Sequence, residues 1–467
     1  MKKEAVLLVS LLICCILVES TTIYVSKGPT GSGNGTEGNP YGSITEALNE
    51  VTDNSIEILL KDGVYDNTLN TFIRVDSRNV TISAVEDASV LFSCTNSENP
   101  VFQLAGTGGL NLYLLKFTGC KKIISYELNY HQGQASFPVS IESCQFNENN
   151  GDLIVLQNTN SLSIKNSNFD SNPGGHILRY NGKSSSLFIE NSSFTNSKSG
   201  LYLTDVSISI QNAKFNQFQE RIIFLNPLKR ASDQIINCTF SNSYTKYSGG
   251  AIYSFFTMGN SYGSLKILDS KFTNNGAKYQ GGAVWVGANS YPYGTSNNIY
   301  TVTINNTNFA DFYAAKGSAL YLAAPFVSVS FANFTTSNTN ETEEIYLANQ
   351  NEVSFTNTTF SKTKNLLACQ DKCDCNTDNS VLAKNQKCEC TYTGSSTGIH
   401  FGTVAKIILY SFGSALVCSC ILICIVAVVI YKKLRQVEYI VGNLNEEDGD
   451  EHSIGAHQTD GINDDDL

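Results

Sequence analysis

One short pattern occurs ten times between residues 110 and 360. Each copy has two apolar residues at alternate positions and, five residues after the second, a phenylalanine; Asp233 is the one polar exception. Most successive phenylalanines are 21 to 26 residues apart. They are Phe117, Phe146, Phe169, Phe194, Phe215, Phe240, Phe272, Phe309, Phe334 and Phe360. A unit with this period is typical of a solenoid, and the alternation predicts that each unit begins with a half-buried strand. We therefore predict coils of parallel strands stacked along one axis, with the phenylalanine rings in a line inside.

A second apolar strand follows many of the phenylalanines. Examples are Leu153–Leu156, Leu201–Leu203, Ile222–Leu225, Ala251–Tyr253, Ala283–Val286 and Ala319–Leu322. With two or three strands per coil and about 4.8 Å between coils, ten coils would form a tube roughly 48 Å long.

The residues before the repeats predict a cap on the first coil. Ser43 and Glu46 form a capping box that starts a short helix with Ile44, Ala47 and Leu48 on one face. Such a helix would cover an otherwise exposed strand edge. The order of a strand, a loop, the run GNPYGSITEAL and the strand IEILLKDGVY resembles the opening of pectin-lyase-like β-helices. The resemblance implies an all-β fold, a right-handed parallel β-helix.

The repeats are also similar to the β-helical passengers of the polymorphic membrane proteins of chlamydiae, which carry FxxN and GGA[ILV] motifs. The chain has these motifs at Phe146–Asn149, Phe169–Asn172, Phe272–Asn275, Gly249–Ile252 and Gly281–Val284, with a near match at Gly317–Leu320. The resemblance covers about residues 110–365 and implies surface display and adhesion. It does not imply the family's secretion route, because a single apolar segment stands where that family has a membrane barrel.

Both ends of the chain carry targeting signals. Residues 1–20 have the positive start, apolar run and small-residue cleavage site of a signal peptide. Ile407–Tyr431 has no charge over 25 residues and is long enough to span a bilayer, and Lys432 and Lys433 follow it. We expect a single-pass type I protein of the plasma membrane or another secretory-pathway membrane, with the amino end outside. The acidic residues 432–467 would form a cytoplasmic tail.

Asparagine recurs three residues before the phenylalanines. It is found at Asn166, Asn191, Asn212, Asn237, Asn306 and Asn357, with Asp269 at the same position. Stacked amides one coil apart predict a hydrogen-bonded ladder. Asn191, Asn237 and Asn357 also begin N-x-S/T sequons, and a given position can serve as ladder or as glycan site but not both. We predict glycans at Asn34, Asn79, Asn333 and Asn340.

The cysteines indicate an oxidising compartment. Cys94 and Cys120 lie about one coil apart, so they either pair or remain buried thiols. Cys144 and Cys238 are four coils apart, too far to bridge. A cluster near the predicted membrane span favours a disulfide-tied stem over a zinc site, since no histidine is near. Its members are Cys369, Cys373, Cys375, Cys388 and Cys390, an odd number that leaves one thiol free, paired elsewhere or linking two chains.

Two neighbouring repeats are lengthened after their Gly-Gly motifs, by Ser254–Ser264 and Gly287–Asn298. Both insertions are rich in Tyr, Ser, Gly and Asn, which provide rigid amphipathic contacts in antibody paratopes. Because the coils are neighbours, both loops should project from the same edge. The alternative is that they are elaborated turns. The candidate ligand-binding residues are Phe255, Phe256, Tyr262, Tyr291 and Tyr293.

Catalysis is the less favoured interpretation. Polysaccharide-active β-helices place paired carboxylates, or a carboxylate with a basic residue and calcium, on one face. Here the repeat aspartates fall at different offsets from their phenylalanines, His131 and His176 stand alone, and the few arginines predict no basic groove for a uronate polymer. We expect no catalytic residues, metal or cofactor.

The sequence thus predicts a membrane-anchored surface protein for adhesion or recognition of an extracellular glycan or protein, with a tethered polysaccharide-active enzyme as the alternative. It predicts no nucleic-acid partner, because the chain outside the acidic tail is nearly neutral and lacks a basic patch. The expected segments are a signal peptide (1–20), a cap with first coils (21–92), repeats (93–365), a stem (366–406), a membrane helix (407–431) and a tail (432–467).

Overall fold

A computed structural model describes residues 20–393, except 29–32, 67–68, 95–96, 127–136, 229, 257–261, 289–298, 337–341, 349–351, 363–364, 371–374, 380–381, 383–387 and 389. The described residues form parallel strands stacked coil upon coil, with one short helix. The predicted all-β parallel solenoid is therefore confirmed. No helix within the described residues is long and apolar enough to cross a bilayer, and the predicted membrane helix at 407–431 lies outside them.

Each complete coil has three strands, which align with their counterparts in the next coil to form three stacks. The first stack begins at Ile73 and contains Ile73–Asp76, Phe102–Ala105, Ile124–Tyr126, Ile154–Gln157, Ile223–Pro227, Ile252–Phe256, Val284–Ala288, Leu320–Leu322, Ile345–Leu347 and Leu367–Cys369.

The second stack contains Thr21–Val25, Ser55–Leu60, Asn79–Ala84, Gly109–Tyr113, Val139–Glu142, Ser161–Lys165, Ser232–Ile236, Tyr262–Leu268, Ile299–Asn305, Phe326–Ser330, Glu352–Thr356, Cys375–Thr377 and Cys390–Tyr392. Two long strands belong to both stacks, with their first halves in the first stack and their second halves in the second: His176–Glu190 and Ser199–Gln211.

The third stack carries the phenylalanine column. Its strands are Gly63–Tyr65, Val90–Ser93, Lys116–Thr118, Gln145–Asn147, Asn168–Asp170, Ser193–Ser197, Lys214–Phe218, Thr239–Thr245, Lys271–Ala277, Asn308–Ala310, Asn333–Thr335 and Thr359–Phe360.

The ten predicted phenylalanines are in register from coil to coil, and the column extends one ring further to Phe92. Successive ring centroids from Phe92 to Phe360 are 4.2 to 5.1 Å apart, with interplanar angles of 3 to 16°. The spacing matches the separation of neighbouring parallel strands. The column therefore fixes the register of the coils from inside.

The asparagines three residues before the phenylalanines have a second role besides the predicted ladder. Their backbone is left-handed, as at Asn166 (φ 50°) and Asn237 (φ 51°), and Asn tolerates this conformation better than most residues. Their side chains are exposed. Ladder bonds do form in places, since Asn237 donates to Asn212 Oδ1 at 2.7 Å. Exposure means that the sequons in this position are not buried by the fold.

The asparagines of the FxxN motifs point inward instead. Asn149 is fully buried; its Oδ1 accepts the Cys120 N–H at 2.9 Å, and its Nδ2 donates to the Phe117 carbonyl at 3.3 Å. Asn275 likewise donates to the Phe240 carbonyl at 2.9 Å. These amides satisfy backbone groups where the chain turns between strands, which is the physical requirement for polar groups inside a fold.

The glycines of the GGA motifs make tight corners. Gly249 has φ +72° and Gly281 has φ +60°, conformations that favour glycine. A Cβ on Gly250 would lie 2.0 Å from the Gly282 carbonyl oxygen of the next coil. Glycine is therefore needed in this motif because the backbones of adjacent coils approach too closely to leave room for a side chain.

The cap helix spans Ile44–Glu50 and buries Ile44, Ala47 and Leu48, as predicted. Ser43 Oγ accepts the Glu46 N–H at 3.1 Å, and Glu46 Oε2 accepts the Gly42 N–H at 3.0 Å. Both bonds satisfy donors at the helix start.

The coils continue beyond residue 365, where the sequence predicted a separate stem. Leu367–Cys369 pairs with the strand before it, and Cys375–Thr377 pairs with both Glu352–Thr356 and Cys390–Tyr392. Disulfides join Cys369 to Cys388 and Cys375 to Cys390, while Cys373 lies outside the described residues. The predicted boundary is wrong because the phenylalanine pattern ends before the parallel stacks do.

Among the other described cysteines, two form a disulfide and two are free thiols. Cys94 and Cys120 form a disulfide with a Cα–Cα distance of 4.7 Å, which links adjacent coils. Cys144 and Cys238 are buried free thiols. Burial raises the pKa of the Cys144 thiol to about 12 and that of Cys238 to about 11, so neither is a reactive nucleophile near neutral pH.

Candidate functional site

The outer surface of the first stack carries a continuous row of aromatic side chains, here called the aromatic strip. Its residues occupy one register position on six neighbouring coils and are Tyr202, Phe224, Tyr253, Trp285, Tyr321 and Tyr346. The residue in the same register on the coil before is Arg179. Because alternate residues of a strand point to opposite faces, the inward neighbours of the rings are buried, and most are aliphatic, such as Ile252.

The rings of the aromatic strip stack on one another along the solenoid axis. Centroid separations run from 4.2 Å between Tyr253 and Trp285 to 5.9 Å between Trp285 and Tyr321, and interplanar angles from 5 to 16°. Most ring faces are therefore covered by neighbours, and the exposed fraction of the side chains ranges from 36% at Tyr202 to 9% at Trp285. The strip presents a rigid, amphipathic surface about 24 Å long.

Arg221 lies at the centre of the strip among three rings. Its guanidinium carbon is 4.0 Å from the centroid of Tyr253, 5.2 Å from Tyr247 and 5.9 Å from Phe224. Its Nε donates to the Ser248 carbonyl at 2.8 Å. Partial burial lowers the pKa of Arg221, although a guanidinium stays charged at any ordinary pH. The arrangement holds a fixed positive charge in an aromatic setting.

Lysines extend this charge along the corner that leads into the strip. Lys246, Lys278 and Lys316 are exposed, and Lys316 Nζ is 5.2 Å from the centroid of Tyr346. With Arg221 they form what we call the basic edge. The sequence analysis named only the arginines of the repeats, and the coils bring these lysines to the same corner as Arg221.

The two long loops begin at the carboxyl ends of strip-bearing strands. The anchors are in register, with Phe256 opposite Ala288 and Tyr262 opposite Ile299, so both loops leave and re-enter at the same edge. Residues 257–261 of the first loop and 289–298 of the second, including the candidates Tyr291 and Tyr293, lie outside the described residues, as does the side chain of Tyr262.

The two phenylalanine candidates have opposite orientations. Phe255 is half-buried on the outside, 6.4 Å from Tyr253, and extends the strip sideways. Phe256 points inward, is 2% exposed and stacks on Tyr300 at 4.5 Å. Phe256 is thus a core residue and cannot contact a ligand on the surface; strand alternation sends one of any two adjacent residues inside.

A small polar cluster adjoins the first ring of the strip. Asp152 Oδ1 lies 3.2 Å from His176 Nδ1, and Asp152 Oδ2 accepts from Arg179 at 3.0 Å. Burial works against the charged form of Asp152, but hydrogen bonds from His176 and Arg179 outweigh it and hold its pKa well below the usual range. His176 also meets Tyr202 edge to face at 5.6 Å. The view of His176 as isolated is therefore wrong: residues 24 apart in sequence meet on adjacent coils.

Asp233, the exception in the aliphatic column, is fully buried. Its Oδ1 accepts the Ile208 N–H at 2.9 Å, where the strand ladder is irregular, and its Oδ2 has no protein partner. Burial raises its pKa to about 7, opposed by the Ile208 bond. Ser254 Oγ and Tyr300 OH are also buried without partners by geometry. We assign this group a structural role, because it faces the interior.

Three of the predicted glycan sites are on the surface. Asn34, Asn79 and Asn333 are exposed, and Asn340 lies outside the described residues. Asn34 Oδ1 accepts from Thr36 at 2.8 Å, and Asn333 Oδ1 accepts from Thr359 at 2.7 Å. Exposure meets the steric requirement for a glycan and does not by itself establish one.

No metal-binding group of three or more His, Cys, Asp or Glu side chains occurs in the part of the chain that the structure describes. The sequence also carries a signal for the aromatic strip, in the outward residue of the second apolar strand of successive repeats. Lined up, the runs Leu201–Leu203, Ile223–Leu225, Ile252–Ser254, Val284–Val286 and Leu320–Leu322 all have an aromatic residue in the middle.

Comparison with a protein family agrees with the fold. Residues 128–299 match the family described as right handed beta helix region. The chain is also similar to the crystal structure of pectate lyase Pel9A, with 14% identity, a TM-score of 0.42, and coverage of 68% of this chain and 79% of that one. A rhamnogalacturonan lyase is similar at 11% identity and a TM-score of 0.38, over 70% and 84% of the two chains.

A comparison with curated protein sequences finds no match. At these identities and TM-scores the likeness does not extend to substrate or chemistry, and the resemblance to chlamydial surface proteins stays a prediction. The match over residues 128–299 concerns architecture: this part of the chain is similar to a right-handed β-helix.

Proposed function

We propose that this chain is a cell-surface recognition protein that binds an extended extracellular glycan along the aromatic strip and the basic edge. The observation that carries the proposal is the alignment of six stacked rings on one face of the solenoid, with four cations at the adjoining corner. Ring edges, tyrosine hydroxyls and fixed charges offer apolar contact, hydrogen bonds and attraction for acidic groups. The location at a cell surface is supported by the signal peptide and membrane span that the sequence predicts.

The strip is pre-organised for such binding. Its strands are held by the parallel ladder and the phenylalanine column beneath, so little conformational entropy is lost when a ligand binds. Tyr and Trp side chains provide contact area with only two rotatable bonds each. The anchors of the two long loops lie beside the strip, whereas Tyr291 and Tyr293 lie outside the described residues.

A charge-matched pair of double variants tests the proposal. The full chain, purified in detergent, is applied to arrays of neutral and acidic glycans. Lys278→Gln with Lys316→Gln should weaken binding to acidic glycans at least about tenfold and reduce its salt dependence. Lys214→Gln with Lys271→Gln removes the same charge from the third stack, where both lysines are exposed, and should leave binding unchanged. Equal loss in both variants, or no glycan binding by the wild type, would contradict the proposal.

A membrane-tethered polysaccharide-active enzyme is the second candidate. It is favoured by Asp152, His176 and Arg179, since a charged carboxylate that orients a histidine leaves the other ring nitrogen available as a general base. The test is release of shortened chains from uronate polymers and neutral polysaccharides. Turnover by the wild type that His176→Ala abolishes, with glycan binding retained, would favour the enzyme over simple recognition.

A further inference from the structure

Four asparagines that begin N-x-S/T sequons lie at one corner of the solenoid, where the second stack leads into the third. We call it the sequon corner, and its residues are Asn191, Asn237, Asn305 and Asn357. Three of them stand three residues before the phenylalanine of their coil, and Asn305 stands four before it. All four therefore lie in the same turn or at its entrance.

The turn directs these asparagines outward and the residue that follows inward. Asn191, Asn237 and Asn357 have left-handed backbone, with φ of 50°, 51° and 50°, and their side chains are exposed. The next residues are only 1 to 3% exposed, and they are Ser192, Cys238 and Thr358. A glycan on these asparagines would therefore extend into solvent without disturbing the core. Asn305, the last residue of its strand, is half-buried.

The sequons of this corner stand on every second coil. One coil lies between each successive pair, which places neighbouring asparagines about 10 Å apart along the axis. The phenylalanines of their coils are Phe194, Phe240, Phe309 and Phe360. This spacing leaves room along the corner for a bulky group at each position.

The intervening coils have no sequon in the turn. One has Asn212 there but Lys214 where a sequon needs Ser or Thr, and the next has Asp269 in place of asparagine. The third has Phe331 in the turn, and its sequon begins two residues later at Asn333, on the third-stack strand. The alternation in the turn is therefore a property of the sequence and not of the left-handed backbone, which all these coils share.

The amide ladder at this corner does not exclude glycans. Asn237 Nδ2 donates to Asn212 Oδ1 at 2.7 Å. A side-chain amide has two N–H donors, and attachment of a sugar to the nitrogen replaces one of them. The other N–H remains, so a ladder bond and a glycan are compatible at Asn237 by donor count.

We propose that the sequon corner carries a row of N-linked glycans, at Asn191, Asn237, Asn305 and Asn357. In the transfer, Nδ2 forms a bond with the anomeric carbon of an oligosaccharide, and the bond from that carbon to a lipid-linked diphosphate breaks. The diphosphate leaves, the amide gives up one proton, and nothing is oxidised or reduced. The lipid-linked donor belongs to the secretory pathway, which the signal peptide predicted from the sequence would provide. The proposal does not depend on what the aromatic strip binds.

The row would shield one side of the solenoid and leave the other accessible. Each coil runs from the first stack to the second and then to the third, so the sequon corner is the corner that does not adjoin the first stack. Among the described residues, no sequon asparagine lies on the strands of the aromatic strip or on the basic edge, and Asn340 lies outside the described residues. The glycans would thus cover the second and third stacks where they meet.

The experiment maps the occupied sites in the full chain, expressed in eukaryotic cells and purified in detergent. A peptide N-glycosidase acting in heavy-oxygen water converts each occupied asparagine to a labelled aspartate, which tandem mass spectrometry of the peptides locates. We expect label at all four asparagines in most molecules. We expect none at Asn212 and Asn306, which share the turn but begin no sequon.

A matched pair of variants separates attachment from folding. Ser193→Ala removes the sequon of Asn191 but keeps the asparagine and its turn, so it should abolish the label at Asn191 alone. Ser209→Ala changes a serine that is also half-exposed but belongs to no sequon, and every label should remain. Label at fewer than three of the four asparagines, or label at Asn191 that persists in Ser193→Ala, would overturn the proposal.

Discussion

The first and second stacks of strands cover the same core but present different chemistry to solvent. On six successive coils the first stack shows the aromatic strip. The second stack shows, on the same coils, a register column that is polar throughout: Ser209, Gln234, Lys266, Thr303, Ser328 and Ser354. Both columns alternate with buried residues, which are aliphatic at most positions. The coils therefore stack without aromatic side chains on their outer surface. For this reason we propose a role in recognition for the aromatic strip, in addition to any role in the fold.

The largest expected difference in stability is between a ring inside the solenoid and a ring on its surface. Phe194→Ala, inside the third stack, should cost about 3–5 kcal/mol of unfolding free energy, because it removes a fully buried ring and leaves a cavity. Phe188→Ala, in the same coil but half-exposed on the second stack, should cost about 1 kcal/mol or less. Chemical denaturation measures both. Similar costs would mean that the inner column does not control the register.

The inner surface of the second stack carries one buried carboxylate, Asp233. Its folded-state pKa of about 7 exceeds the ordinary aspartate value, so the folded state holds the proton more tightly than the unfolded state. Its contribution to stability is therefore greatest at low pH, and declines as pH rises from about 4 to about 7. Asp233→Asn should remove this decline and stabilise the protein at pH 8 by about 4 kcal/mol. Denaturation midpoints from pH 4 to pH 8 measure it.

A matched variant serves as the control for this prediction. Asp205→Asn changes an exposed aspartate on the neighbouring coil and should leave the pH profile as in the wild type. If Asp233→Asn also preserves the profile, or if stability rises between pH 4 and pH 7 because of this residue, the assignment of a buried, protonated Asp233 is wrong.

The smallest expected stability effects are on the outer surfaces themselves. Tyr321→Ser removes one ring from a stack with neighbours at 5.9 and 5.2 Å and should cost about 1 kcal/mol. Ser328→Ala, on the same coil of the second stack, should change stability by less than about 0.5 kcal/mol. A loss at Tyr321 as large as that at Phe194 would make the strip a structural element instead of a recognition surface.

The sequence predicted the inner part of this fold better than the outer part. The phenylalanine column could be predicted because each buried ring stands at the same distance in sequence from the apolar strand of its coil. The capping box was readable because its bonds are local. Arg221 among its three rings and Asp152 beside His176 were missed because their partners lie on neighbouring coils, at separations that the variable turns change. The spacing of the asparagines predicted their side-chain ladder, which forms in part. It did not predict their left-handed backbone, because residue spacing carries no information on backbone dihedral angles.

We propose that the outer face of the first stack binds a glycan and that the outer face of the second stack does not. The most direct measurement compares two triple variants of the full chain on the same glycan array. One carries Tyr253→Ser, Tyr321→Ser and Tyr346→Ser; the other carries Lys266→Ala, Ser328→Ala and Ser354→Ala on the same coils. We expect the triple tyrosine variant to bind the glycan at least about tenfold more weakly than the wild type, and the triple variant of the second stack to bind like the wild type. Equal binding by both variants, with both folded, would contradict it.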